Sequence, residues 1–338
     1  MNEAWRIEGG FGPDKLARGP HDPGEPGPGE ARVRFTAWSL NYRDALIVAG
    51  LYNPKQKLPL VPLSDAAGVV DAVGPGVTRV AVGDRVCPAF APAWIDGRPS
   101  AEDMRSALGS PGDGVAMRAR CLPASGLVRV PAHLSDREAA SLPCAATTAW
   151  NALFELGAIK PGETVLVQGT GGVSSFALQF AVMAGARVIV TSGSPEKAAR
   201  ARALGAFETI DYRKEPRWGE RARELTGEGV EHVIEVGGAG TIDQSLRAVR
   251  AGGTVSVIGV LAGPAGPVPL TRILMTGVRL QGVFVGSRAM FERMNRAIEA
   301  AALRPVIDER AFGFEELPAA LARMQAGAHQ GKITLGAS

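Results

Sequence analysis

The segment Val165–Ser192, VLVQGTGGVSSFALQFAVMAGARVIVTS, constrains the fold of this chain more than any other stretch. Val165, Leu166 and Val167 form the short apolar run of a buried parallel strand. Gly169-Thr170-Gly171-Gly172 follows at once. Val173, Phe176, Ala177, Phe180, Ala181 and Ala184 then recur with the period of a helix. Gly185 ends that helix, and Arg187-Val188-Ile189-Val190 starts a second strand. Strand, glycine turn, helix and strand make a βαβ unit. The turn offers bare backbone N–H groups at the positive end of a helix dipole, a seat for a pyrophosphate. Ser174 stands where a G-x-G-x-x-G pattern has its last Gly or Ala. The glycines alone therefore also describe a tight turn in an ordinary α/β domain, and it is the flanking strand and helix that supply the context the motif requires.

The pattern on either side divides the chain. From Asp136 onward, after a helix cap at Ser135, strands at 163–168, 187–191, 207–210, 231–236 and 254–259 alternate with helices, which predicts a parallel sheet covered on both faces. Arg279–Val285 reads as one more strand and Arg288–Leu303 as a long helix. The first part of the chain is different. It holds a turn-rich run from Gly19 to Gly29, an alternating strand at Arg32–Ala37, a loop and short helix after Ser39, and a strand from Ser64. A long polar loop spans 92–114. A length of 338 residues suits two domains. The expected class is α/β: a β-rich domain from both chain ends (1–124 and 269–338) with a doubly wound Rossmann domain, 125–268, inserted between.

Several function classes drop out. The formal net charge is +3, and the cations are scattered among acids, so no nucleic-acid surface is expected. The start, MNEAWRIEGG, lacks the apolar core of a signal peptide, and no apolar run reaches membrane-spanning length. Three distant cysteines, Cys87, Cys121 and Cys144, fit neither a disulfide framework nor a zinc ribbon, so a reducing cytoplasm is the expected location. His21, His133, His232 and His329 all lie outside the motifs and read as structural or surface groups.

Several further segments carry a resemblance when taken in order. They are Asn41-Tyr42-Arg43-Asp44 with Gly50-Leu51-Tyr52, Gly83-Asp84-Arg85-Val86, Thr147-Thr148-Ala149-Trp150, the glycine turn, Ala203-Leu204-Gly205-Ala206, Gly252-Gly253-Thr254-Val255 and Gly331-Lys332-Ile333. Over nearly its whole length the chain resembles the medium-chain dehydrogenase/reductase superfamily, and within it the zinc-free, quinone oxidoreductase-like branch. The resemblance implies a GroES-like catalytic domain beside the Rossmann domain, a small-molecule substrate held in the cleft between them, and a homodimer joined by edge-strand pairing through Arg279–Val285. One segment departs from the relatives: Gly114-Val115-Ala116-Met117-Arg118-Ala119 lacks their acid and aromatic.

The resemblance also implies which residues work. Zinc enzymes of the superfamily use Cys, His and Cys or a carboxylate. Here Asn41 stands at the first position, Ser64 near the second, and Cys144 at the third. One ligand cannot hold a catalytic zinc, so no metal is expected. The second strand of the Rossmann unit ends in Thr191-Ser192-Gly193-Ser194 without the carboxylate that binds a ribose 2′-hydroxyl. Ser192, Ser194, Lys197 and Tyr212 match residues that contact a 2′-phosphate, so NADPH is expected over NADH. A plainer reading makes Lys197 and Arg200 the exposed face of an amphipathic helix.

Further cofactor contacts implied are Thr148; Gly169, Thr170, Gly171, Gly172 and Val173; Gly237 and Gly238; Ile258 with Gly259; and Phe284, Gly286, Ser287 and Arg288. The role of Lys332 is left open, bridging the domains being one possibility. The catalytic candidates are Asn41 and Tyr52 as hydrogen-bond donors, with Asp44 and Arg43 organising their loop. The plainer alternative has Asn41 capping a helix and Tyr52 packing at the domain seam. The implied activity is NADPH-dependent hydride transfer to quinones, enones or similar activated double bonds. A zinc-independent alcohol dehydrogenase or carbonyl reductase, or a cofactor-binding protein with little catalysis, are the alternatives.

Overall fold

Six strands in the middle of the chain form one parallel sheet. In this computed structural model, which describes residues 2–337, the strand order is Glu208–Ile210, Arg187–Thr191, Thr164–Gln168, Val230–Glu235, Val249–Val257, Arg279–Gly282. Every neighbouring pair is parallel. In sequence order that is 3-2-1-4-5-6, the doubly wound arrangement, and its direction reverses between Thr164–Gln168 and Val230–Glu235. Ligands of open α/β sheets bind at the carboxyl ends of strands flanking such a reversal. The central strands are apolar because helices cover them. Leu166, Ile189, Val233 and Val255 are fully buried and pack with Trp218, Ile242 and Leu246 from the helical layer. Each such side chain contributes about 1.5–3 kcal/mol by leaving water.

The other unit has a seven-stranded, mostly antiparallel sheet. Its order is Phe312–Gly313, Thr334–Gly336, Glu30–Ser39, Asp65–Val73, Arg85–Pro88, Leu127–Arg129, with Ala119–Pro123 also paired to Glu30–Ser39. A separate two-stranded ribbon joins Glu3–Ile7 to Leu16–Pro20. Both chain ends contribute, since Thr334–Gly336 pairs with Ala37–Ser39. Trp38, Phe35, Phe312 and Phe314 fill the core together with Leu317 and Leu335.

By contacts the chain divides into Met1–Thr147 with Gly286–Ser338, and Thr148–Val285. The seams read from sequence were 124/125 and 268/269. The difference has a pairing reason at each end. Leu127–Arg129 pairs with Arg85–Pro88, which holds 125–147 in the first unit. Arg279–Gly282 pairs with Thr254–Val257, which holds 269–285 in the second. That strand is shorter than the expected 279–285, and Val285 takes a positive φ of 38°. The long helix runs Arg288–Ala300, and the 92–114 loop carries a short helix, Ala101–Arg105. Among the described residues, no helix is long and apolar enough to cross a membrane.

Candidate functional site

In the parallel-sheet unit, Thr164–Gln168 runs directly into the glycine turn, and the helix Gly172–Met183 starts after it. Gly169 adopts φ +70°, a conformation that disfavours side chains. A Cβ built at Gly169 or Gly171 meets no atom within 4 Å, so open space lies over the turn. The first helical turn holds no acid to repel an anion. Thr170, Gly172 and Val173 complete the turn. Ser174, the departure from the glycine pattern, donates its hydroxyl to Gln168 O at 2.7 Å, so strand and helix are tied by a hydrogen bond. The geometry suits a diphosphate.

At the end of the neighbouring strand, Ser192 is buried and its hydroxyl donates to Ser194 O at 3.2 Å. Ser194 caps the helix Pro195–Ala203, accepting from Lys197 N at 3.3 Å. Arg200 pairs with Glu196 at 3.1 Å on the exposed face, as the plainer reading of that helix has it. Gly193 is the informative position. A Cβ there would lie 2.7 Å from Arg213 Nε and 2.9 Å from the Tyr212 hydroxyl. Tyr212 and Arg213 therefore lean over the same turn as Ser192 and Ser194. Arg213 was missed in the sequence, although it directly follows Tyr212.

Gly237 and Gly238 follow the strand Val230–Glu235 across the sheet reversal. Their N–H groups are already engaged: both donate to Glu235 Oε1, at 2.7 and 2.9 Å. Glu235 is fully buried, and no cation balances it among the described residues. Its Oε1 also accepts from Thr241 at 2.6 Å, and its Oε2 accepts from Gln168 Nε2 at 2.7 Å and from the Ser245 hydroxyl. Gln168 Oε1 accepts in turn from Val236 and Gly237. This network locks the end of one strand to the end of the next, and it too was missed. A single Glu before Gly-Gly was the available signal. Ile258 N donates to Glu235 O at 2.9 Å, so it belongs to the same strand-end group. Thr148 is buried in this unit, to which Phe284 also belongs.

Gly286, Ser287 and Arg288 fall in the first unit. Ser287 is buried as the cap of Arg288–Ala300, accepting from Met290 N at 3.2 Å. Arg288 Nη1 donates to Ser125 O at 2.8 Å.

The first unit holds a compact polar cluster. Asn41 precedes the helix Tyr42–Val48, and its backbone N–H donates to Asp44 Oδ2 at 2.7 Å. The Asn41 amide turns elsewhere. Its Oδ1 accepts from Lys332 Nζ at 2.6 Å, and its Nδ2 donates to Ser64 Oγ at 3.3 Å. Ser64 donates to Asp65 Oδ1 at 2.7 Å, while Asp65 Oδ2 lies 3.6 Å from Lys332 Nζ and accepts from Cys144 N at 3.3 Å. Lys332 Nζ also donates to Leu40 O at 2.6 Å. All three named partners of Lys332 belong to its own unit. Asp65 and Ser64 are fully buried.

Asp44 is fully buried as well, and its Oδ1 has no hydrogen-bond partner. Burial pushes its carboxyl up to about 7, against the pull of the Asn41 N–H, Arg43 and Lys332. Burial, then Asp65, drives the half-buried Cys144 thiol far above its usual value, so it stays protonated. Arg43 ties the surrounding loops together. It donates to Leu108 O at 2.9 Å and Ser110 O at 2.6 Å, and its guanidinium lies 4.7 Å from the Tyr52 ring centre and 4.9 Å from that of Phe90. The Tyr52 side of that stack is open, the residue being 43% exposed.

These residues do not fit a catalytic zinc. The three positions matching metal ligands gather around Asp65, but they supply an amide, a hydroxyl and a single thiol, with a buried ammonium in their midst. Among the described residues no group of three or more His, Cys, Asp or Glu side chains could hold a metal ion. A concavity of about 360 Å³ elsewhere in this unit, lined by Arg79, Arg129, Glu292 and Asn295, includes none of the cluster.

Known proteins match both units. Residues 27–132 match the alcohol dehydrogenase GroES-like domain family, and residues 172–300 match the zinc-binding dehydrogenase family. A zinc-type alcohol dehydrogenase-like protein of Schizosaccharomyces pombe is 46% identical over 315 residues, covering 91% of each chain. The chain belongs to the medium-chain dehydrogenase/reductase superfamily. Other superfamily relatives include a 2-haloacrylate reductase of Burkholderia, 33% identical over 85% of this chain and 81% of its own, and a quinone oxidoreductase of Pseudomonas aeruginosa, 36% identical over 75% and 72%. Among solved superfamily structures, a putative alcohol dehydrogenase from Sinorhizobium meliloti superposes with TM-score 0.91 at 42% identity, covering 99% of this chain and 98% of its own. A mycobacterial protein complexed with NADPH superposes with TM-score 0.83 at 29% identity, covering 99% and 100%. As a member of this superfamily the chain is an oxidoreductase of small molecules, with a GroES-like domain and a nucleotide-binding Rossmann domain.

Proposed function

We propose that this oxidoreductase uses NADPH to reduce quinones, enones or similar conjugated acceptors, and that it does so without a metal. The observation that carries the reading is the half-buried Asn41 bonded to the buried Lys332 and Ser64, with Asp65 behind them, which offers hydrogen-bond donors and a fixed charge where a zinc enzyme would need ligands. When bound, the reduced nicotinamide supplies a hydride. The chain's own task is to bind, orient and stabilise.

The glycine turn 169–173 seats the diphosphate. Ser192, Ser194, Lys197, Tyr212 and Arg213 surround the place of a 2′-phosphate, with hydroxyls and cations suited to a dianion and no carboxylate at the strand end. The Glu235 network holds the Gly237–Gly238 turn rigid, so these glycines serve the cofactor by shape rather than by N–H donation. Thr148, Ile258 and Phe284 line the nicotinamide end. Gly286, Ser287 and Arg288 are the least direct of the proposed contacts, because Ser287 caps a helix and Arg288 is bonded within its own unit.

Hydride adds to the electron-poor carbon of a conjugated acceptor, and the displaced electron pair moves to the distant oxygen. Asn41 Nδ2 and the Tyr52 hydroxyl are the donors for that oxygen, and Tyr52 returns the proton. Asp44 holds the Asn41 backbone, and Arg43 holds Tyr52 against the 92–114 loop. The similarity to a 2-haloacrylate reductase and a quinone oxidoreductase favours activated double bonds as the substrate class. A homodimer is part of the proposal. Arg279–Gly282 is an edge strand, and Leu270, Leu274 and Met275 beside it are more than 70% exposed.

The test is a fluorescence titration with NADPH and NADH, followed by turnover on a quinone, an enone, a 2-haloacrylate and a primary alcohol, with metal content measured on the same sample. Tighter NADPH binding, reduction of conjugated acceptors and sub-stoichiometric zinc are expected. Efficient alcohol oxidation with no acceptor reduction would instead favour the dehydrogenase alternative. Tight NADPH binding with no turnover would favour a cofactor-binding protein.

A further inference from the structure

The polar cluster of the first unit forms a ring of three hydrogen bonds and one ion pair, whose direction is fixed by chemistry. An ammonium can only donate, so the atom of Asn41 that lies 2.6 Å from Lys332 Nζ is the carbonyl oxygen, and the amide nitrogen points the other way. A carboxylate can only accept, so Ser64 spends its hydrogen on Asp65 Oδ1, at 2.7 Å, and must accept from Asn41 Nδ2, at 3.3 Å. The ring closes through the 3.6 Å approach of Asp65 to Lys332. Lys332 donates to Leu40 O and Asn41 Oδ1, and its charge lies 3.6 Å from Asp65 Oδ2 as an ion pair. Lys332 is 2% exposed, so it does not reach a substrate directly and acts through its neighbours. Asn41 is only half-buried and is the ring's outlet toward solvent.

We propose that Lys332 is a positioning residue for the reductive step. It holds the Asn41 amide by its oxygen and, through that bond, makes Asn41 Nδ2 a stronger donor toward the oxygen that gains negative charge. The inference rests on the function proposed above and adds the group that makes a neutral amide adequate there. A hydrogen bond accepted from a cation polarises the amide and strengthens the bond that the same amide donates, the more so at low dielectric. The Ser64 contact is the longest hydrogen bond in the ring, and hence the one a better acceptor displaces. An incoming oxyanion exchanges with Ser64 Oγ or takes the second Nδ2 hydrogen. Asp65 keeps the buried ammonium in place and Ser64 keeps the amide from turning over.

The plain alternative is that Lys332 only neutralises Asp65. Removing Lys332 alone would strand a buried carboxylate and confuse the two roles, so the deciding variant is the double change Lys332→Gln with Asp65→Asn. It retains an amide donor to Leu40 O and Asn41 Oδ1 and deletes both charges. The readouts are thermal stability, the NADPH dissociation constant, and kcat over a series of enones graded by electron demand. The expected result is a folded protein that binds NADPH within twofold of the parent. Its kcat falls about 10- to 100-fold on the least activated acceptors and much less on the most electron-poor, so the slope of log kcat against acceptor electron demand steepens. A loss of the same size on every acceptor, or no loss, overturns the inference and leaves the reductase reading intact. A parent enzyme that reduces none of the series overturns the reductase reading itself.

Discussion

Two buried carboxylates, one in each unit, are stabilised in opposite ways. Asp65 and Glu235 are both fully inaccessible, and both sit at the end of a strand beside candidate site residues. Asp65 is balanced by an ammonium 3.6 Å away. Glu235 collects five neutral donors: Gly237 N, Gly238 N, Thr241, Gln168 and Ser245. The contrast fits the roles proposed for the two sites. A turn that shapes a cofactor pocket needs rigidity, and oriented dipoles around one acid supply it. A site where charge develops needs a field, and that requires a cation. Asp44 shows the intermediate case: with one strong donor, and only the weaker pull of Arg43 and Lys332 against its burial, its carboxyl is pushed up to about 7.

The comparison breaks most sharply at Lys332. Changing Lys332→Met leaves Asp65 buried without its partner, which should cost about 3–5 kcal/mol in urea unfolding. Adding Asp65→Asn should recover most of that. If the single change costs under 1 kcal/mol, the pair is not the balance described here.

Asp44 gives the next largest effect, confined to a pH window. Its carboxyl is raised from its usual value to about 7 in the fold, so the native state binds the proton more tightly than the unfolded chain. Its contribution is therefore complete below about pH 4 and is lost as pH rises toward about 7, at up to about 1.4 kcal/mol per pH unit. Asp44→Asn should remove that slope. Melts of parent and variant at half-unit steps from pH 4.5 to 8 will show it, and parallel curves would refute the assignment.

Glu235→Gln sharpens the other side of the contrast. The new NH₂ group must face donors on one edge, costing about 2 kcal/mol. Amide exchange at Gly237 and Gly238 should quicken, and NADPH and NADH binding should weaken together. Unchanged exchange at those two glycines would mean that the turn is held by something else. Arg213→Ala is the mildest change. It should weaken NADPH binding about tenfold, or about 1.4 kcal/mol, while leaving NADH binding and stability alone.

The parallel sheet and its glycine turn were legible because their signals are local: an apolar run, a turn and a 3.6-residue period within thirty residues. Ser135 as a cap was legible for the same reason, and the structure has its hydroxyl accepting from Glu138 N. The domain seams were less so, because they depend on which strand a short segment pairs with, and Leu127–Arg129 carries no mark of its partner. The polar ring was illegible in a different way. Asn41 and Lys332 each stood out within a motif, but they are 291 positions apart, and no local pattern says that one holds the other. Glu235 was hidden because its donors come from three segments. Arg43 could be named as an organiser of its loop, but not its reach to the carbonyls of Leu108 and Ser110.

The notch at Gly193 has a consequence for the cell's redox economy. A side chain there would push aside the ends of Tyr212 and Arg213, and an acidic one would also capture the arginine. On the NADPH reading proposed above, an acid at this one position would take Arg213 away from a 2′-phosphate, so a lineage could re-plumb its supply there without touching the chemistry of reduction.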